Sequence, residues 1–365
     1  MATRRIGISP ELLIHPGETI LDLLNERGIS QKELANRAGV SEPFLSDVIH
    51  GKKDISKGLA KGLEYAFGVS SSFWLNLQAN YDSEMMSIRE EASVQGEELE
   101  VLNEIEEVIS YLRKEGSIPS GLSKKQQIIC LRKKFQVSNL TRLPQIVPTG
   151  AFRMSEKAVV NPYVLGAWLS LCKFQKSETN IDSRFFPECI PELVSKLKKI
   201  MFMTDGNLQK DLGTLFAQYG IAFSIVHNFR GAPVQGYISR KEDGVFQMVL
   251  TIRGAFADIF WFSLFHELGH IINGDIPKGG SFIDTHNEED KDRERAADLF
   301  AAESLIDSES YMAFVEKKIF SYNAISFFAQ TQEVPPYIVI GRLQREKIIP
   351  WAWYQKDKLK YKWAE

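Results

Sequence analysis

The sequence predicts a mainly α chain whose C-terminal part is α+β. Three observations carry this reading: capped helical segments fill residues 1–82, an acidic amphipathic stretch occupies 83–121, and three short β-rich runs precede a strongly apolar helix within 122–365. A chain of 365 residues with 44% hydrophobic content is globular and too long for one ordinary core. We therefore expect a domain over 1–82, a helical connector over 83–121 and a second domain over 122–365. Cys130, Cys172 and Cys189 lie far apart without CxxC spacing, which argues against a disulfide framework or a zinc ribbon. The start Met1-Ala2-Thr3-Arg4-Arg5 leads into no apolar signal segment, and no run reaches membrane-spanning length, so a cytoplasmic protein without membrane contact is expected.

The elements of the first domain follow in order. His15-Pro16-Gly17-Glu18 opens a helix carrying Ile20, Leu21, Leu23 and Leu24. Gln31 to Ala38 forms a second, stopped at Gly39, and Ser41 caps a third with Pro43 in its first turn and an apolar face of Phe44, Leu45, Val48 and Ile49. Ser56 caps a fourth helix through Leu59, Leu63 and Phe67, and Ser70-Ser71-Ser72 opens a fifth through Trp74, Leu75 and Leu77. The second and third helices have helix-turn-helix grammar.

Together with Gly51-Lys52-Lys53-Asp54-Ile55-Ser56 and Phe73-Trp74-Leu75-Asn76-Leu77-Gln78-Ala79-Asn80-Tyr81-Asp82, these stretches resemble the Cro/C1-type DNA-binding fold and, more closely, the HigA-type antitoxins. The resemblance implies an operator in double-stranded DNA as partner, with the helix from Ser41 to His50 in the major groove. Gln31, Ser41, Glu42 and Ser46 would then meet base edges or phosphate, and Lys52 and Lys53 phosphate. Residues 1–82 hold nine Lys or Arg against ten Asp or Glu, so no strong non-specific electrostatic footprint is expected, and a homodimer on a palindrome would double the contacts. A bundle used only for protein contacts is the plainer alternative.

In the connector, Ser83 to Glu115 holds ten acidic and three basic residues, with Leu99, Leu102, Ile105, Ile109 and Leu112 at helical spacing. We read it as a helix docked by its apolar face, in preference to a dimerisation helix or a mimic of nucleic-acid charge. Gly116-Ser117-Ile118-Pro119-Ser120-Gly121 breaks it and marks a boundary. Lys124, Lys125, Arg132, Lys133, Lys134 and Arg142 follow as a basic complement, for the acidic connector or for a nucleic acid.

Helices are predicted over 163–174, 190–201 and 208–219, then strands over 220–226, 234–239 and 245–252, with Lys241-Glu242-Asp243-Gly244 as a turn between the last two. The next helix carries the chemistry. Trp261 to Phe265 leads into His266-Glu267-Leu268-Gly269-His270, and Asn273-Gly274 stops the helix. Two histidines four apart face the same way and can bind one Zn²⁺, while Glu267 between them can act as general base toward a water. A catalytic zinc needs a third ligand. Glu294 can supply it, and Asp298, on the same face, can accept a hydrogen bond from the other ring nitrogen of His266 or His270.

His266-Glu267-Leu268-Gly269-His270 followed by Glu294-x-x-Ala297-Asp298-x-Phe300-Ala301 resembles the ImmA/IrrE metallopeptidases, as do Asn161-Pro162-Tyr163, Ala167-Trp168-Leu169 and the approach Phe260 to Phe265. The likeness spans the C-terminal half to two thirds of the chain. It implies a zincin-like α+β domain and a zinc metallo-endopeptidase, with Mn²⁺ as an alternative metal, acting on a regulatory protein. Alternatives are a buried histidine pair without metal and a metal site without catalysis. His227, His286, Tyr237 and Arg253 are candidates for an oxyanion partner, each more readily read as structural or surface residues.

Beyond these, Ala324 to Thr331 and Tyr337 to Lys347 resemble a second helix-turn-helix-like pair. Lys356, Lys358, Lys360 and Lys362 interleave with Trp351, Trp353, Tyr354, Tyr361 and Trp363, a pattern that favours aromatic anchoring onto the domain over stacking on nucleic acid. Two function classes result. One is a DNA-binding regulator or antitoxin whose peptidase domain cleaves a regulatory protein, with self-cleavage near the connector or at Gly116–Gly121. The other is a non-enzymatic HigA-like antitoxin and autorepressor that neutralises a toxin by binding.

Overall fold

The computed structural model describes residues 13–147, 160–174, 181, 184–203, 205–252, 254–283 and 291–363, with 282 and 283 as backbone only. Two compact units emerge. One comprises Met1–Gly96 with Leu122–Ile129, the other Glu97–Gly121 with Cys130–Glu365.

In the first unit, hydrogen bonds at helix ends set the helix boundaries. α1 (Pro16–Arg27) starts where Nδ1 of His15 accepts from the Gly17 amide, and α2 (Gln31–Ala38), α3 (Glu42–Ile49), α4 (Lys57–Phe67) and α5 (Ser71–Ser93) start at Ser30, Ser41, Ser56 and Ser70, each hydroxyl accepting a backbone N–H. Ile20, Leu34, Leu45, Val48, Leu59, Leu63 and Trp74 form its core. Gly62 is required by close packing: a Cβ there would lie 2.3 Å from the carbonyl oxygen of Ala38. Gln78, on α5, is buried and accepts the Ile55 amide at 2.9 Å, tying α5 to the loop before α4.

The expected boundary after residue 82 falls inside α5, which runs on to Ser93. Tyr81 to Ala92 contains neither glycine nor proline, so nothing in the chain stops the helix there. Instead of the expected 1–82, 83–121 and 122–365, the chain changes unit after Gly96, Gly121 and Ile129. The connector also differs from one continuous helix. It forms α6 (Gly96–Glu104) and α7 (Glu106–Lys114), parted at buried Ile105. Val101, Leu102, Val108, Ile109 and Leu112 are buried, so its apolar face is docked.

α8 (Lys124–Phe135) begins in the first unit and ends in the second. Arg132, near its end, pairs with Glu98, whose carboxylate also accepts the Leu140 amide at 2.8 Å. The buried Glu98 thus has partners for its charge.

The second unit continues with α9 (Pro162–Lys173), α10 (Ile190–Met201) and α11 (Leu208–Ala217), then β1 (Ile221–Val226), β2 (Gly236–Arg240) and β3 (Phe246–Thr251). α12 (Ala257–Asn273), β4 (Ser281–Ile283), α13 (Lys291–Leu305), α14 (Ser308–Glu316), α15 (Tyr322–Thr331) and α16 (Pro336–Arg345) follow. The sheet order is β1-β3-β2-β4, with β1 parallel to β3 and β2 antiparallel to both neighbours. β4 and α14 were not expected from the sequence. Asn161 caps α9, accepting the Tyr163 amide at 2.9 Å, which gives Asn161-Pro162-Tyr163 a structural role.

α12 packs on the sheet and against α13 and α16, its core side chains including Trp261, Leu264, Phe265 and Leu268. The C-terminal segment secures its start: the Ala257 amide donates to Leu359 O at 2.9 Å, and Trp261 Nε1 to Tyr361 Oη at 2.8 Å. Lys358 is buried against Asp258 at 2.7 Å, so this lysine belongs to the interior. Among the described residues, no helix is long and apolar enough to cross a membrane.

Candidate functional site

α12 is apolar on nearly every side, which makes it a rigid carrier for the polar groups it buries. His266 and His270, one turn apart, meet edge to face with ring centroids 4.7 Å apart. Glu267 between them is 1% exposed. α13 can approach this helix closely because position 269 is glycine: a Cβ there would lie 2.9 Å from Cα of Ala297. Glu294, one turn before Ala297, is thereby brought to the histidines.

One Glu294 oxygen is 3.2 Å from Nε2 of His266, the other 3.6 Å from Nε2 of His270, and the two Nε2 atoms are 3.1 Å apart. One donor atom from each of the three residues lies within 4.8 Å of the others. The ring orientations are set from behind. His266 Nδ1 lies 3.0 Å from Asp298, and His270 Nδ1 lies 2.8 Å from Asp275. A carboxylate accepts a hydrogen bond, so Asp298 and Asp275 favour the tautomers with hydrogen on Nδ1, in which both Nε2 lone pairs face the same space. Two lone pairs and a carboxylate at these separations repel one another unless a cation lies between them. This donor set fits a zinc ion.

Of the pair foreseen for Asp298, the structure selects His266. Burial pushes the Asp298 carboxyl up, but its bond from His266 and the Arg345 guanidinium, 3.0 Å away, outweigh that and hold it below the ordinary carboxylate value. Asp275 was missed. Its only sequence signal is its place directly after the Gly274 that ends α12, where the chain turns back toward the last helical turn.

Glu267 has a tight neighbour in β2: a Cβ on Gly236 would lie 1.7 Å from its Oε1. His266 and Glu267 line a cavity of about 610 Å³ whose walls include Ile259 and Phe262 of α12, Leu305 of α13 and Ile338 of α16. Neither Tyr237 nor His227 reaches it. Tyr237 lines a separate cavity of about 220 Å³ with Leu169 and Ser281, burial raising its hydroxyl, and His227 stacks on Tyr111 with centroids 5.2 Å apart, burial lowering its pKa. Arg253 and His286 lie outside the described residues.

In the first unit, Gln31 begins α2 and Ser41, Glu42 and Ser46 sit at and along α3. Gln31 and Ser46 are half-exposed; Ser41, Glu42, Lys52 and Lys53 are exposed. Several are already engaged. Ser41 caps α3, Ser46 Oγ lies 3.4 Å from Nδ1 of His50, and Lys53 pairs with Asp47 at 3.1 Å.

Residues 20–74 match the family model described as Helix-turn-helix. The chain is 41% identical over 83 residues to Virulence-associated protein A' of Dichelobacter nodosus, covering 22% of this chain and 69% of that protein. The chain belongs to the helix-turn-helix family. Its helix-turn-helix region is also similar to two solved structures. One is an addiction module antidote protein of the HigA family from Coxiella burnetii, 30% identical, covering 23% of this chain and 96% of that one with a TM-score of 0.21. The other is the Pseudomonas aeruginosa antitoxin HigA with the higBA promoter, 31% identical, covering 23% and 97% with a TM-score of 0.21. The helix-turn-helix match ends far before α12, so the site on that helix rests on its own geometry.

Proposed function

We propose that this protein is a DNA-binding regulator whose second unit is a zincin-like, zinc-dependent endopeptidase acting on a regulatory protein. The observation that carries the peptidase reading is the convergence of His266, His270 and Glu294, with both imidazoles oriented by carboxylates and Glu267 beside them. His266, His270 and Glu294 would hold the metal as a His₂Glu set. Bound there, zinc or manganese supplies a Lewis acid for the scissile carbonyl and a more acidic water.

The remaining chemistry belongs to the chain. Glu267, held against Gly236, takes the proton of the attacking water and delivers it to the leaving amine. Asp298 and Asp275 keep each Nδ1 protonated and each ring in place. The cavity beside Glu267 combines apolar walls, Ile259, Phe262, Leu305 and Ile338 among them, with charged groups such as Arg295, Arg342 and Glu346, which suits a polypeptide that presents both apolar and charged side chains.

For the first unit, α3 would enter the major groove, with Gln31, Glu42 and Ser46 near base edges and Lys52 and Lys53 near phosphate. The operator in this proposal follows the P. aeruginosa relative, which was solved with its promoter. A homodimer on a palindrome compensates for the near-neutral charge of residues 1–82. Cleavage of the chain itself at Gly116–Gly121 requires local opening, because Ile118 is buried and the amides of Ser117 and Ile118 both bond to Leu112 O.

Metal analysis and a cleavage assay of wild type against Glu267→Gln test this. One zinc per chain in both, with hydrolysis reduced on the order of 10² to 10⁴-fold in the variant, is expected. Zinc-loaded protein that cleaves neither itself nor any repressor or toxin supplied to it would overturn the peptidase reading. In that case unchanged toxin neutralisation by Glu267→Gln would favour the binding antitoxin.

A further inference from the structure

The reaction needs a hydrogen-bond donor for the oxygen on which negative charge develops, and Tyr237 and His227, two of the residues first considered for it, do not line the cavity. The structure offers a different one. Immediately before β2 the chain bends at Gln235, whose side chain meets Ser263 of α12, and Gly236 lies against Glu267 of the same helix. Ser263 Oγ donates to Gln235 Oε1 at 2.9 Å. Ser263 stands one helical turn before Glu267 on the same face of α12, and Ser263, Glu267, His266 and Gln235 all line the 610 Å³ cavity.

That bond fixes which end of the amide faces where. With Oε1 held by Ser263, the Nε2 end is turned away from it, and among the described residues no group accepts its hydrogens. The backbone beneath is rigid: the Thr251 amide donates to Gln235 O at 2.9 Å, and Thr251 Oγ1 donates to Val234 O at 3.0 Å. Arg345, one of three arginines lining the cavity, is committed to Asp298 at 3.0 Å and stacked on Phe262 at 4.0 Å.

We propose that Gln235 is a catalytic residue that donates its Nε2–H to the substrate carbonyl oxygen, with Ser263 as the positioning residue that orients it. The role rests on the peptidase reading above. The water oxygen adds to the carbonyl carbon and the π pair moves onto the carbonyl oxygen, where the Gln235 amide meets it. Glu267 accepts the water proton and passes it to the amide nitrogen as the C–N bond breaks, leaving a carboxylic acid and an amine. A neutral donor suits this place, since it strengthens as the oxygen becomes anionic.

The test uses the full-length, zinc-loaded protein with a pool of internally quenched peptides, and a phosphonamidate peptide whose tetrahedral anion mimics the intermediate. Gln235→Leu is expected to lower kcat on the order of 10² to 10³-fold with KM within about threefold, and to weaken phosphonamidate binding at least about tenfold. Gln235→Glu, which keeps the shape but replaces donors with acceptors, should behave alike, and Ser263→Ala should fall between. Equal melting temperatures and zinc contents show that the fold is intact. If wild type hydrolyses peptides and Gln235→Leu stays within about threefold in kcat and in analogue binding, this role falls while the peptidase stands. If zinc-loaded wild type hydrolyses none of them, both fall.

Discussion

At the scale of single residues, one glycine and two carboxylates shape the candidate site. Gly236 leaves Glu267 room: Gly236→Ala puts a carbon where Oε1 now lies, so hydrolysis should fall at least about 100-fold while zinc stoichiometry holds, read by elemental analysis beside the peptide assay. Asp275 and Asp298 do the same chemical task in different surroundings. The side chain of Asp275 is 8% exposed and that of Asp298 44%, so water can replace Asp298 far better. Asp275→Ala is therefore expected to weaken zinc about 100-fold and Asp298→Ala nearer about tenfold, measured by competition with a chromophoric chelator. Equal losses would show that exposure does not set the balance.

At the scale of elements, the contact between Gly269 and Ala297 holds α12 and α13 at the spacing the ligands need. Gly269→Val should displace α13, take Glu294 out of reach and abolish tight zinc binding, while operator binding by the first unit persists in a gel-shift assay. In the first unit, Gln78→Leu removes the acceptor for the buried Ile55 amide and should cost about 1–3 kcal/mol in denaturant unfolding. These elements differ in how legible they were. Serine caps and apolar periodicity mark α1 to α5 directly, and the histidine spacing marks α12. The end of α5 was not visible, because nothing local stops a helix between Asp82 and Ser93 and the break depends on packing. β4 is three residues long, too short for a periodic signal. Asp275 and Gln235 gained their roles from partners 5 and 28 residues away, at separations that no helical or strand period connects to a purpose.

At the scale of the whole molecule, two units with separate cores should unfold in two calorimetric transitions, and zinc should move only that of the second unit. At free zinc near a thousand times its Kd the gain is about 4 kcal/mol, whereas a single transition, or one in which both shift together, would contradict the division. The path of the chain has one more result. It leaves the first unit after Gly96, returns for Leu122–Ile129 and departs again, so each unit is completed by a piece from the far side of Gly116–Gly121. A nick in that loop leaves the stretch from residue 97 to the nick in one unit and 122–129 in the other. Severed fragments should therefore co-elute under native conditions and separate only in detergent or urea, and an assay that watches for a smaller particle would miss the event.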